Sequence, residues 1–114
     1  MATFTKVKLS GGTDGRAIKV VATASAGTTI HQADATALDE VWLYAYNSDT
    51  NAVPLTIQFG GTSTPDDDIK VTVASQQGLL LVVPGLILTN SVIVKAYAGT
   101  ANKITINGFV NRIS

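Results

Sequence analysis

The feature that most constrains this sequence is its division into short runs of β-forming residues separated by turn-forming residues. Residues 41–46 (VWLYAY), 69–74 (IKVTVA) and 92–97 (VIVKAY) are rich in β-branched and aromatic residues, as strands are. Turn signals recur about every 8–12 residues, and no helix long enough to connect parallel strands is visible. This spacing predicts an all-β protein: an antiparallel β-sandwich of jelly-roll or Greek-key type with about eight short strands.

The chain of 114 residues has the length of one domain, so we expect a single β-sandwich domain over residues 1–114. Residues 1–15 are expected to form a flexible N-terminal arm or an edge strand. Lys6 and Lys8 share one face of the first run, and charge on an edge strand discourages unwanted pairing. The following turn, residues 10–15 (SGGTDG), lacks the Lys-Ser/Thr of a phosphate-binding loop and is expected to be mobile.

Residues 40–61 (EVWLYAYNSDTNAVPLTIQFGG) predict a β-hairpin, with a polar turn over residues 47–52 between two strands. Side chains alternate between the faces of a strand. In the second arm, residues 55–59, this alternation places Leu55 and Ile57 in the core. Thr56 and Gln58 are expected on a solvated face.

The first arm of this hairpin carries the candidate interaction surface. Val41, Leu43 and Ala45 share one face, and three aromatic residues share the other: Trp42, Tyr44 and Tyr46. Tyrosine and tryptophan suit interfaces because each joins a large ring to a polar tip. Three interpretations stay open at this stage: cover by the chain's own loops, a subunit or partner interface, and a platform for stacking sugars. The N-terminal run adds the candidate contact residues Phe4, Lys6 and Lys8.

The longest apolar run is residues 79–88 (LLLVVPGLIL). Residues 79–83 are apolar on both faces, which predicts a central or covered strand. Pro84-Gly85 predicts a turn, since proline suits its first central position and glycine its second. The run is too short to span a bilayer, and the N-terminus lacks the apolar region of a signal peptide, so no membrane partner is expected.

Residue types that carry chemistry are sparse. His31 is the only histidine and there is no cysteine, so a zinc site is not expected. No pattern of a catalytic nucleophile is visible, and His31 is expected in a loop or at a strand edge. Three consecutive acidic residues, Asp66, Asp67 and Asp68, are weak candidates for Ca²⁺ but lack the spacing of an EF-hand. We therefore expect no enzyme activity and no cofactor.

The charge pattern argues against a nucleic-acid partner. Eight basic and eight acidic residues balance to a net charge of zero, and the basic residues form no run or stripe. Only 14 % of residues are charged while 46 % are hydrophobic, which favours self-association. This composition indicates that part of the surface is hidden in an assembly.

The second half of the chain combines EVWLYAYN, LTIQFGG, LLLVVPGLIL and a closing VIVKAY…ITINGFVNRI. This pattern, over residues 40–113, resembles the decoration (cement) proteins on the capsids of tailed bacteriophages, or similar small virion proteins. The resemblance implies a small β-sandwich or jelly roll, often trimeric. It further implies a non-enzymatic role at the capsid surface, with the major capsid protein or another virion protein as partner. No functional residue is carried over.

Two alternatives remain beside a trimeric capsid decoration protein. A tail or head-fibre component matches the same pattern almost as well. A carbohydrate-binding module would instead place Trp42 and Tyr44 on an open face and use Asp66–Asp68 with Ca²⁺.

Overall fold

A computed structural model describes residues 3–114, and this part of the chain contains nine β-strands and no helix. The strands are β1 (Phe4–Lys8), β2 (Ile18–Lys19), β3 (Thr28–Gln32), β4 (Leu38–Asn47), β5 (Val53–Phe59), β6 (Asp68–Val73), β7 (Leu80–Leu88), β8 (Ile93–Ala98) and β9 (Ile104–Ile113). All the strand pairs are antiparallel. The predicted all-β class is confirmed, with nine strands in place of about eight.

The strands form two sheets, and strands that follow one another in the chain often lie in different sheets. The five-stranded sheet has the order β1-β9-β4-β7, with β2 also paired to β9, and the four-stranded sheet has the order β3-β8-β5-β6. The pairs β1·β9, β3·β8, β4·β7 and β5·β6 are nested, as in one long hairpin whose tip is the β5–β6 loop. Successive nested pairs alternate between the sheets, which is the strand order of a jelly roll and confirms that prediction.

The predicted hairpin over residues 40–61 is wrong, because its two arms lie in different sheets. β4 pairs with β7 and β9, whereas β5 pairs with β6 and β8. Residues 48–52 cross between the sheets, and the buried Asn47 side chain holds this crossing by donating to the carbonyl oxygens of Asn51 and Val73, each at 2.9 Å. The turn between β8 and β9 also joins strands of different sheets.

The core lies between the two sheets and is aliphatic. Val41, Leu43 and Ala45 are fully buried, which confirms the face that period-two alternation assigned to them. They pack in one cluster with residues of the four-stranded sheet such as Ile57 and Val94. Gly108 in β9 lies so close to the Trp42 carbonyl oxygen that a Cβ there would clash, which explains a glycine in the middle of a strand.

The solvated face predicted for β5 is wrong, since both Thr56 and Gln58 are buried. The loop before β3 covers Gln58. The Gly27 N–H donates to Gln58 Oε1 at 2.9 Å, and Gln58 Nε2 donates to Ser25 Oγ at 2.9 Å. A buried amide with both ends paired is not destabilising, so a loop distant in sequence converts a polar strand position into an interior one.

The interpretation of residues 79–88 needs two corrections. β7 is an edge strand paired only with β4, not a central strand. Pro84-Gly85 lies within β7 and makes no turn. The pairing with β4 shifts register at Gly85, between Val41 and Trp42, and again at Val82, between Leu43 and Tyr44. Proline is tolerated in an edge strand or at a bulge.

The N-terminal segment takes the edge-strand form. β1 pairs with β9 from Phe4 opposite Ile113 to Lys8 opposite Phe109. The following loop, residues 9–17, packs against β3, where the Gly11 N–H donates to the Ile30 carbonyl at 2.9 Å. We call this side of the sandwich, formed by that loop with β2 and β3, the closed edge.

Candidate functional site: the outer face and free edge of the five-stranded sheet

The three aromatic residues of β4 lie on the outer face of the five-stranded sheet. Trp42, Tyr44 and Tyr46 are each half-buried, while the residues between them face the core. The predicted division of this strand into one aliphatic and one aromatic face is observed, and the aliphatic face is the one that lies in the core. The register places Trp42 beside Phe109 of β9.

The Trp42 ring is held by its neighbours. It stacks on Phe109 with ring centroids 6.1 Å apart and planes 10° apart. Its Nε1 donates to Glu40 Oε1 at 2.7 Å, and the same oxygen accepts from Asn111 Nδ2 at 3.0 Å. The hydrogen bond from Asn111, followed by that from Trp42, lowers the pKa of Glu40 below its usual value. A fixed aromatic surface loses little conformational entropy on binding.

Gly85 of β7 gives this ring its space. A Cβ at residue 85 would lie 2.7 Å from Cζ2 of Trp42, and the backbone has a φ of +79°. Both conditions favour glycine. The Pro-Gly pair that predicted a turn thus allows β7 to pass close to the indole ring.

The N-terminal candidates lie on the same outer face. Lys6 and Lys8 pair with Asn111 and Phe109, whereas Val7 between them pairs with the buried Val110. The Lys6 ammonium lies 4.6 Å from the Phe109 ring centroid, a cation–π contact. Phe4 is 73 % exposed. All six interface candidates from the sequence, on β1 and β4, are brought to one face.

Sequence reasoning missed a run of exposed apolar side chains along β7. Together with the preceding Leu79, β7 forms what we call the free edge. Its large apolar side chains are 41–58 % exposed: Leu79, Leu80, Leu81, Leu86 and Ile87. No charged residue occurs between Gly78 and Val94. Edge strands normally carry charges that block pairing with another chain, and the free edge carries none.

A buried polar network lies on the inner side of the fold. Arg112 holds the Asp39 carboxylate in a two-pronged ion pair, with Nε–Oδ1 at 2.7 Å and Nη2–Oδ2 at 2.9 Å. His31 Nε2 lies 2.9 Å from Asp39 Oδ2, and both residues are fully buried. Burial alone would raise the pKa of Asp39, but the hydrogen bonds from Arg112 and His31 outweigh it and lower that pKa.

The imidazole in this network has no free nitrogen. The Ser10 N–H donates to His31 Nδ1 at 3.1 Å, so Nδ1 is the acceptor and Nε2 carries the proton that is donated to Asp39. A general base needs a nitrogen that reaches a substrate proton. His31 lies in edge strand β3, in line with the strand-edge prediction, but it joins the closed edge to the core and does not face solvent.

The acidic residues 66–68 do not gather around one point. Asp67 Oδ2 accepts from the Ser63 N–H at 3.0 Å. Both carboxylate oxygens of Asp68 are buried without a hydrogen-bond partner among residues 3–114. Within that range no group of three or more His, Cys, Asp or Glu side chains is placed to hold a metal ion. The oxygen-rich shell that Ca²⁺ requires is not assembled from Asp66, Asp67 and Asp68.

Comparison with models of known protein families found no match for this chain. No curated protein is similar enough in sequence to count as a relative. Across residues 3–114 there is no helix of the length and apolar character needed to cross a membrane.

Proposed function

We propose that this protein is a non-enzymatic structural protein that assembles with itself through the free edge and binds a larger particle through the outer face of the five-stranded sheet. From the resemblance of residues 40–113 to decoration proteins, we propose that it acts as a homotrimer on the surface of a phage capsid. Its partner there is the major capsid protein or another virion protein. A tail or head-fibre component would use the same surfaces.

The observation that carries the proposal is the uncharged, exposed strand β7. An edge strand presents unpaired N–H and C=O groups that can template pairing with another chain. Here those groups are flanked by leucine and isoleucine side chains that are 41–58 % exposed. Burying such side chains against a second copy releases about 25 cal/mol per Å² of apolar surface. The proposed occupant of the free edge is therefore another copy of this chain.

The aromatic face supplies a second, more polar contact surface. Trp42, Tyr44, Lys6 and Phe4 combine rings with a cation, a composition typical of interfaces. A capsid presents many identical sites, so an oligomer that engages several at once binds more tightly than a single subunit. We assign the free edge to self-association and the aromatic face to the particle.

Light scattering after size-exclusion chromatography tests the self-association. The native chain should have a mass that is a multiple of its 11.8 kDa, and a trimer is expected. Leu81→Lys and Ile87→Lys each place a charge on the free edge and should yield monomers. Val21→Lys is the matched control, because Val21 is 55 % exposed but lies outside this sheet edge.

A native chain that stays monomeric at high concentration would contradict self-association, as would equal dissociation by all three variants. The capsid role has its own test. Peptide mass spectrometry on gradient-purified phage particles should detect this chain among the virion proteins. Its absence from particles produced in cells that express it would remove the virion from the proposal but leave the oligomer standing.

A second candidate function, carbohydrate binding, is favoured by one observation. Trp42 and Phe109 form a fixed, partly exposed ring pair next to the Asn111 amide, and aromatic rings beside amides suit sugar rings. A glycan array read with and without chelator separates the two candidates. Specific binding that Trp42→Ala abolishes would support the module. Silence on the array, together with oligomers in solution, would support assembly.

A further inference from the structure

The closed edge contains an open cavity that the proposed assembly does not use. It has a volume of about 440 Å³ and lies beside β2. The residues that matter for its chemistry are Gly11, Gly12, Thr13, Arg16, Ile18 and Lys19. Small-molecule sites typically enclose roughly 300–1,000 Å³, so the cavity has the size of a ligand site.

The walls of this cavity are fixed by the fold. Gly11 is held on β3 by its bond to the Ile30 carbonyl, and the Gly12 N–H donates to the Leu9 carbonyl at 3.2 Å. Ile18 is buried and pairs with Ile106 of β9. The glycine-rich loop, for which a mobile turn was expected, is held against β3 and packs next to Ile18 of β2.

Two cations converge on the cavity. Arg16 and Lys19 both line it, and no acidic residue does. The ion pairs found within residues 3–114 involve only His31 and Arg112 as basic partners, so neither cavity cation forms an ion pair with a carboxylate of the described chain. An arginine fork next to a lysine is the side-chain set that recognises phosphate and related oxyanions.

The backbone of this loop also offers a hydrogen-bond donor, which attracts anions as the two cations do. Backbone hydrogen bonds in this loop use the N–H groups of Gly11, Gly12 and Arg16. The N–H groups of Thr13, Asp14 and Gly15 therefore have no backbone acceptor within the described chain, but of these three residues only Thr13 lines the cavity. Backbone N–H groups in turns are recurrent donors in anion sites.

We infer that this cavity binds a tetrahedral oxyanion, phosphate or sulfate, either free or as the charged group of a small organic molecule. Arg16 supplies a forked pair of donors and Lys19 a point charge, while the Thr13 N–H adds a backbone donor. The site is independent of the proposed assembly, because it lies at the closed edge and not on β7.

Amide chemical shifts in a ¹H–¹⁵N spectrum of the full chain test this inference. Titration with sodium phosphate, and separately with sodium sulfate, should shift the amides of residues 11–19 in a saturable way. Sodium chloride at matched ionic strength should not. Arg16→Gln should weaken binding at least tenfold, since it removes charge-assisted hydrogen bonds, and Lys19→Gln should weaken it less.

Lys70→Gln is the matched control, because it removes one positive charge from the four-stranded sheet, outside this cavity; its affinity should equal that of the native chain. Glucose 6-phosphate, compared with glucose and inorganic phosphate, tells a free anion from an esterified one. Shifts that chloride reproduces, that spread over all lysine-bearing strands, or that persist unchanged in Arg16→Gln would overturn the site.

Discussion

The closed edge and the free edge show two ways in which one sandwich treats its margins. At the closed edge, loop 9–17 covers β3 through hydrogen bonds from Gly11 and Ser10, and the buried His31 beneath it is tied to Asp39. At the free edge, β7 pairs only with β4 and exposes leucine and isoleucine side chains. The comparison teaches that polar hydrogen bonds close one edge of the sandwich, whereas the other edge stays unpaired and apolar.

The largest expected effect is at the network behind the closed edge. Asp39→Asn removes the charge that holds Arg112 and leaves His31 without its anionic partner, while Arg112 keeps only the longer contact to Asp34 at 3.7 Å. Breaking a buried ion pair on one side costs about 3–5 kcal/mol, and we expect an unfolding free energy lower by about that amount in urea titrations. Asp14→Asn, at an exposed loop residue, is the control and should change it by less than about 0.5 kcal/mol. Similar values for both variants would show that the network contributes little.

Next in size is the contact between loop 9–17 and β3. A Cβ at Gly11 would lie 2.6 Å from the Ile30 carbonyl oxygen, so Gly11→Ala must push the loop off the strand. We expect a loss of about 2 kcal/mol, the usual cost of overpacking, and faster hydrogen exchange at the His31 amide. Gly78→Ala serves as control, since its Cβ would meet nothing within 4 Å; it should show only the cost of a left-handed residue, about 1 kcal/mol. Equal losses would contradict the packed loop.

A smaller effect is expected from acid. The pKa of Asp39 is lowered in the folded protein, by Arg112 and His31 against the opposing effect of burial. Its contribution to stability is therefore complete above the unfolded-state pKa of about 3.9 and is lost as the pH falls through the lower folded-state value. Urea midpoints measured between about pH 2 and 5 should fall less steeply in Asp39→Asn than in the native chain. Parallel pH profiles would rule out Asp39 as a source of acid sensitivity.

The smallest effect on folding is expected at the free edge. Ile87 is 52 % exposed, so Ile87→Lys should change the unfolding free energy of the monomer by less than about 0.5 kcal/mol. The same substitution should abolish self-association in light scattering. This combination sharpens the comparison. A substitution at an edge that stabilises the fold should change the unfolding free energy, whereas one at an edge that mediates association should change the molar mass in solution. A loss of several kcal/mol would place the free edge among the determinants of the fold instead.

The positions of strands and their buried faces could be predicted from the sequence. The alternation along β4 is correct, because it follows from a side-chain period of two within one strand. Strand pairing could not be predicted in the same way. Asn47 and the polar residues after it look like a hairpin turn, yet they carry the chain from one sheet to the other.

The errors at β5 and β7 have a related cause. Gln58 is polar and alternates with apolar residues, so it reads as solvated, but Ser25 and Gly27 cover it. β7 is apolar on both faces and reads as central, but no strand follows it in the sheet. In both cases the burial of a strand depends on whether residues distant in the chain lie over or beside it.

The sequence indicated the candidate site residues on β4 and on β1, but it did not indicate that both groups lie on the outer face of one sheet. Trp42, Tyr44, Tyr46, Phe4, Lys6 and Lys8 come together because β9 pairs with both β1 and β4. Phe109 and Glu40, which hold Trp42, had no signal that set them apart before the register was known.

The sequence alone determined that the protein is built from short antiparallel strands with an aliphatic interior, because hydrophobic period and turn residues are local properties. Only the tertiary structure decided which strands pair, which edge is closed by a loop and which is left free. The physical reason is that the backbone N–H and C=O groups of a strand can form the same hydrogen bonds with several different neighbouring strands. The nested order that buries the most apolar surface emerges only when the whole chain has folded.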